Sequence, residues 1–183
     1  MTKPTSGSIM IPARISAQDL ADAIGLEVEE VQAVLTSRRD PNAPGDLLDG
    51  HLAIDIADTL GFEVLIEARD LALECLYTYE TRGELVDDPG GRAGHLTTGV
   101  IDNMDQLDTK IESVSEHWSV ARMPLVDRNI LRLGLFELEN DKDPATPVVV
   151  SEAVRLAQLY STEKSGAFIN GVLATLAKGV RDE

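Results

Sequence analysis

Arg122 to Leu138 reads RMPLVDRNILRLGLFEL, and this stretch decides the fold. Pro124 closes a short helical turn at Val120–Met123, because a proline cannot continue the helix before it. From about Leu125 to Glu139 the residues form a strongly apolar helix. Downstream, Asp141 to Pro147 (DKDPATP) breaks the pattern, and helical spacing resumes near Val148–Tyr160 and Ser165–Val180. Val148–Val150 has strand propensity, but the spacing from Ser151 to Gln158 favours a helix.

Upstream, Leu96, Val100, Met104, Leu107, Ile111 and Val114 predict one long amphipathic helix reaching about Trp118. The loop before it, Gly83 to Gly94 (GELVDDPGGRAG), turns most tightly at Pro89-Gly90-Gly91. Ala68, Leu71, Ala72, Cys75, Leu76 and Tyr79 line one face of an earlier helix. Gly61–Ile66 (GFEVLI) fits a very short strand or a helix entry, and is read as an extended link. A helix over about Leu48–Leu60 precedes it, after the turn Asp40–Gly45 (DPNAPG). Before that turn, a helix begins near Glu27. The first helix, Ala17–Ile24, starts at Ser16 with Asp19 three residues on and stops at Gly25. Residues 1–13 are expected to be a disordered leader, 14–64 a small three-helix module, and 65–183 a larger helical domain. The fold class is all-α.

Composition narrows the function. The 183 residues carry 32 acidic and 16 basic side chains, a net charge of −16. The imbalance is spread along the chain: residues 1–64 hold 4 basic and 11 acidic side chains, and the remainder 12 and 21. That argues against gripping nucleic acid by phosphate neutralisation alone. No apolar run approaches a membrane span and no secretory segment opens the chain, so a cytoplasmic protein is expected. Cys75 is the single cysteine and reads as a small buried hydrophobe. His51, His95 and His117 have no Cys or second His at metal-ligand spacing. His117, beside Trp118, reads as a helix-end surface or packing residue. Asp87-Asp88 lacks both the alternating oxygens of a calcium loop and the Lys-Ser/Thr of a phosphate loop. No catalytic residue, metal or cofactor is predicted. Ser16–Leu35 has a helix-turn-helix look, but its second helix offers Glu27, Glu29 and Glu30, with Arg38 and Arg39 only at the far end. DNA-specific binding is therefore not expected.

Two resemblances add to this reading. Ile15 to Gly25 (ISAQDLADAIG), Val28 to Leu35 (VEEVQAVL) and Leu52 to Val64 (LAIDIADTLGFEV) resemble the small N-terminal subdomain of bacterial translation initiation factor two. Four motifs over residues 67–180 resemble the NusB transcription antitermination family. They are Ala68–Tyr77 (ARDLALECLY), Arg122–Leu138, Val150–Ala157 (VSEAVRLA) and Phe168–Leu173 (FINGVL).

The second resemblance implies two packed helical bundles. It also implies partnership with NusE, a small ribosomal subunit protein, on the boxA element of ribosomal RNA leaders within the transcription elongation complex. RNA binding by the chain alone is expected to be weak. Arg69 matches a family arginine suited to a phosphate, and Tyr77 and Phe168 match aromatic positions suited to stacking on bases. Both aromatics fit core packing equally well. Asp127 matches an acidic position near the family's NusE contact, and an acid in a helix's first turn is favourable in any case. Arg132, Asn170 and Gly171 also match and read as structural, with Gly171 expected to let two helices approach closely. The family's arginine cluster before its first helix is replaced here by Leu65-Ile66-Glu67, and the family's Asp-Ser-His-Lys before Phe by Lys164-Ser165-Gly166-Ala167. The link between Tyr79 and Gly99 is shorter than in typical members. The competing expectation is a protein-interaction or ribosome-associated module that keeps the fold without binding RNA.

Overall fold

Among the described residues of the computed structural model, four strands of three residues each join a mainly helical chain. The structure describes residues 9–38, 47–62, 64–85, 89–115, 118–142 and 144–181. The DPNAPG turn, Arg39, Asp87-Asp88 and His117 lie outside the described residues, as does the His51 side chain. The chain divides at Asp70 into two units, each with a hydrophobic core of its own.

In the first unit, β1 (Ile9–Ile11) pairs in parallel with β4 (Val64–Ile66), and β2 (Arg14–Ser16) pairs antiparallel with β3 (Leu47–Asp49). Part of the stretch expected to be a leader is thus a strand, and so is the end of the expected link. These strands are too short to show the alternation that identifies a strand in sequence, and Ile9 finds its partner at Val64. Ile11 is buried while Met10 is exposed, so even three residues keep the period of two.

Helices α1 (Ala17–Ile24), α2 (Val28–Arg38) and α3 (Gly50–Thr59) complete this unit around Ile11, Leu20, Val31 and Ile56. The start of α1 is as read: the Ser16 hydroxyl accepts the Asp19 N–H at 3.0 Å and donates to the Asp19 carboxylate at 2.6 Å. Its stop is Gly25 at φ 73°, and the following Leu26 N–H returns to the Ala21 carbonyl at 2.9 Å. That left-handed turn favours glycine.

The second unit contains most of α4 (Ala68–Arg82), then α5 (Gly91–Asp102), α6 (Met104–Val114), a 3-10 turn (Val120–Arg122), α7 (Leu125–Asn140), α8 (Thr146–Tyr160) and α9 (Ser165–Val180). The expected single helix before Trp118 is two, because Asn103 interrupts it. The Asn103 side-chain amide donates to the Gly99 carbonyl at 2.8 Å, a local bond that competes with the helical ladder.

Helix α7 is buried continuously from Asn129 to Leu138 and packs against α5, α6, α8 and α9. A helix covered all round belongs at the centre. Close approach requires two glycines: a Cβ on Gly99 would lie 2.1 Å from the Phe136 ring, and one on Gly134 2.7 Å from Leu173. Gly171 is not such a glycine. A Cβ there meets nothing within 4 Å, which overturns its expected packing role.

Candidate nucleic-acid interface

Polar residues inside the second unit set the frame for its surface. Arg132 has a buried guanidinium, and it donates to Asp108 at 2.6 and 2.7 Å, to the Asn129 side-chain oxygen at 3.0 Å, and to Glu80. Arg128 donates to the same Glu80 carboxylate at 2.7 Å. Burial works against the charge on Arg132, but the hydrogen bonds and fields of Asp108 and Glu80 outweigh it and raise its pKa above the ordinary arginine value. This ties α4, α6 and α7 together and gives Arg132 a structural task. A second group joins the C-terminal end of α7 to that of α9. Arg181 donates to the carbonyls of Leu138 at 2.9 Å, Pro144 at 2.8 Å and Glu137 at 3.1 Å, and also to Asp141.

A groove of about 800 Å³ opens where the end of α6, the start of α7 and the start of α9 meet. Its lining includes Val114, Trp118, Pro124, Lys164, Phe168 and Val172. Asp127 lies at the floor, 4% exposed, in the first turn of α7. Its carboxylate accepts the Ser161 hydroxyl and, at 2.9 Å, the Ser165 hydroxyl. Thr162 and Ser165 are also within hydrogen-bond distance, at 2.8 Å. The carboxylate therefore fixes the corner between α8 and α9.

Phe168 is half-buried and packed against the core, and it also lines the groove. Trp118, 54% exposed, meets it at a centroid distance of 5.9 Å and an interplanar angle of 48°. Lys164 is exposed at the mouth.

The structure thus brings Phe168 and Asp127 together. Tyr77 is 48% exposed on α4 and does not line this groove. Arg69 belongs to the first unit, is 9% exposed, and sets its guanidinium 3.1 Å from Glu67. Sequence reasoning passed over Trp118 and Lys164. The available signal was a lone tryptophan past the end of an apolar stripe, followed much later by a lysine directly before a helix start. Cys75 is half-buried on α4, and His95 lies 3.2 Å from Asp141. Among the described residues, no group of three or more His, Cys, Asp or Glu is placed to hold a metal, and no helix is long and apolar enough to cross a membrane.

A central apolar helix wrapped by helical neighbours, with an aromatic groove at one end, is the architecture of the second unit. Residues 66–178 match the NusB family, and the chain belongs to that family. The transcription antitermination protein NusB of Sorangium cellulosum is 38% identical over 126 residues, covering 61% of this chain and 90% of the relative. That of Clavibacter sepedonicus is 36% identical over 128 residues, covering 61% and 93%. Among solved structures, NusB of T. maritima matches with a TM-score of 0.57 at 32% identity, over 63% of this chain and 92% of that one. A crystal structure of the antitermination factors NusB and NusE in complex with dsRNA matches with a TM-score of 0.52 at 32% identity, over 61% and 94%. The family comprises antitermination factors, not enzymes.

Proposed function

We propose that this chain is a transcription antitermination factor of ribosomal RNA operons that holds boxA leader RNA jointly with NusE. The observation that carries the proposal is the groove beside Phe168. It presents aromatic surface and an exposed lysine, and the one carboxylate among its described lining residues, Asp127, is withdrawn to the floor and hydrogen-bonded. Stacking on aromatic side chains, with a cation near the backbone, suits single-stranded RNA. The likeness to a NusB solved together with NusE and dsRNA supports joint action with NusE on RNA.

In this reading Phe168 contributes stacking in the groove, and Tyr77 contributes a second aromatic surface on α4. Asp127 supports the NusE contact from beneath, by fixing the Ser161–Ser165 corner. Arg69 is held by Glu67, so it reaches a phosphate only when that pair opens. The same pair favours the second reading, a NusB-fold interaction module without RNA, because the arginines expected nearby are replaced by Leu65-Ile66-Glu67.

Titrating boxA RNA with and without NusE, at two salt concentrations, separates the two. Antitermination predicts binding that NusE strengthens, that weakens in Phe168→Ala and Tyr77→Ala, and that has a shallow salt slope because few phosphates are neutralised. Lack of NusE enhancement together with indifference to both substitutions refutes it. NusE capture without any RNA binding establishes the second reading.

A further inference from the structure

Trp118 is the only tryptophan in the chain, and more than half of it is exposed. A single exposed apolar side chain is ordinary, but the way this one is held is not that of a loose surface residue. Its backbone N–H donates to the Ser115 carbonyl at 2.9 Å, and the Ser115 hydroxyl donates to the Ile111 carbonyl at 2.6 Å. Two residues further on, the Val120 N–H is held by the Glu112 carboxylate at 2.8 Å. The segment carrying the indole is therefore tied back to the last turn of α6 on both sides.

The ring is braced as well. Phe168, half-buried and packed against the core, sits 5.9 Å away at a 48° tilt, a centroid separation within the favourable range for aromatic pairs. That tilt decides how a base can bind. Sandwiching a base between two rings needs parallel planes separated by roughly twice the ~3.4 Å base-stacking rise. Trp118 and Phe168 provide neither the parallelism nor the gap. The tilt leaves each ring to meet a base separately: Phe168 braces the indole, and the exposed part of the indole remains available to a ligand.

The charge around the ring selects the kind of ligand. In a chain of net charge −16, the groove's charged lining residues are exposed Lys164 and the buried Asp127, whose two oxygens already accept serine hydroxyls. A groove that holds an aromatic face and a cation, with its Asp127 carboxylate occupied by hydroxyls, complements a ligand that is both planar and anionic.

We infer that Trp118 is a base-stacking residue: its indole, braced by Phe168, takes one unpaired nucleobase of a single-stranded RNA whose adjacent phosphate lies near Lys164. This rests on the RNA-binding reading above and adds to it a further stacking residue in the groove.

The test uses the full chain, with and without NusE, and a boxA-containing oligoribonucleotide. Two signals are followed: the intrinsic fluorescence of Trp118 in the chain alone, and the anisotropy of labelled RNA. Stacking predicts saturable quenching of the indole at the RNA concentrations that produce binding. Trp118→Ala is expected to weaken binding roughly 5- to 150-fold, and Trp118→Phe to retain most of the affinity. Lys164→Gln is expected to lower the salt slope by about one ion while leaving the quenching at saturation intact. If RNA binds with NusE enhancement but Trp118→Ala binds as tightly and no quenching occurs, the inference fails while the antitermination reading stands. If no RNA binds under any condition, both fail. If Trp118→Ala loses NusE but not RNA, the indole is a protein contact and the inference is overturned. Thermal unfolding of both Trp118 variants, expected to match the parent, separates these outcomes from misfolding.

Discussion

Replacing Asp127 by alanine removes an acceptor from two hydroxyls at once, and the size of the resulting loss reports what this carboxylate does. Net contributions of hydrogen bonds to charged groups run about 1.5–3 kcal/mol each, so two give a ceiling of about 6 kcal/mol. Two features of the site lower that figure. Ser161 and Ser165 lie 3.0 Å apart and Thr162 and Ser165 2.8 Å apart, so the hydroxyls keep partners when the carboxylate goes. Removing a 4%-exposed carboxylate also returns its desolvation cost. Loss of a first-turn acid at the start of α7 adds about 0.3–1 kcal/mol in the other direction. The expected destabilisation is about 2–3 kcal/mol, which for a unit of this size lowers the melting temperature by roughly 8–12 °C. Asp127→Asn keeps one acceptor and is expected to lose about half as much.

The assay pairs thermal unfolding with NusE affinity. An alanine variant melting within about one degree of the parent would refute the corner-fixing account, because the two serine bonds would then contribute nothing. The affinity arm tests the position of the carboxylate. A buried group that acts from beneath predicts that Asp127→Asn holds NusE nearly as well as the parent. Loss of NusE with an unchanged melting temperature would instead make Asp127 a direct contact. A Ser165→Ala, Asp127→Ala double-mutant cycle supplies the coupling, expected at about 1–2 kcal/mol.

The remaining predictions concern the frame that holds the groove. Gly99→Ala forces a Cβ to 2.1 Å from the buried Phe136 ring. It is expected to destabilise by about 1–3 kcal/mol, with partial recovery in a Phe136→Leu background, measured by denaturant unfolding. Gly171→Ala, in open space on α9, is expected to stabilise by about 0.5–1 kcal/mol through helix propensity. Glu80→Ala leaves Arg128 and Arg132 side by side with Asp108, the second carboxylate bonded to Arg132, and is expected to cost about 3–5 kcal/mol in thermal unfolding. In the first unit, Ser16→Ala removes the cap on α1 and is expected to cost about 1 kcal/mol, read by hydrogen exchange at the Asp19 amide.

Which parts were legible follows from the range of the interactions that determine them. Helix α1 was readable to both ends because its start and stop are local: Ser16 to Asp19, and Gly25 itself. Helices α7 and α9 were likewise announced by Pro124 and by long apolar runs. The strands were not, because Ile9 pairs with Val64 and Arg14 with Asp49, and three residues carry too little pattern to declare a distant partner. The break at Asn103 was a different failure. The apolar stripe runs straight through it, and only the side-chain bond to Gly99 shows that the ladder is interrupted. At the site, family matching found Phe168 and Asp127, which the fold does bring to one groove. It passed over Trp118, because nothing in sequence shows that an indole beyond the end of α6 returns to a ring fifty residues later. It misjudged Gly171 because a helical glycine in a motif suggests close packing, whereas the glycines of the second unit at which a Cβ would clash with a neighbour are Gly99 and Gly134.

The acidity of the chain acquires a different meaning once the ion pairs are placed. Counted from sequence, −16 describes a surface that repels phosphate. In the second unit, however, Glu80, Asp108, Glu137 and Asp141 face arginines within the fold, so a share of the acid total never reaches solvent as a field. The same pairing occupies the cations, since Arg92, Arg128, Arg132 and Arg181 all serve internal partners. Interior pairing thus weakens the repulsion and also reduces the supply of positive charge for phosphates. A nucleic-acid ligand must then be held mainly by contacts that do not depend on charge. The stacking proposed for the groove is a contact of that kind, and a shallow salt dependence is what it predicts.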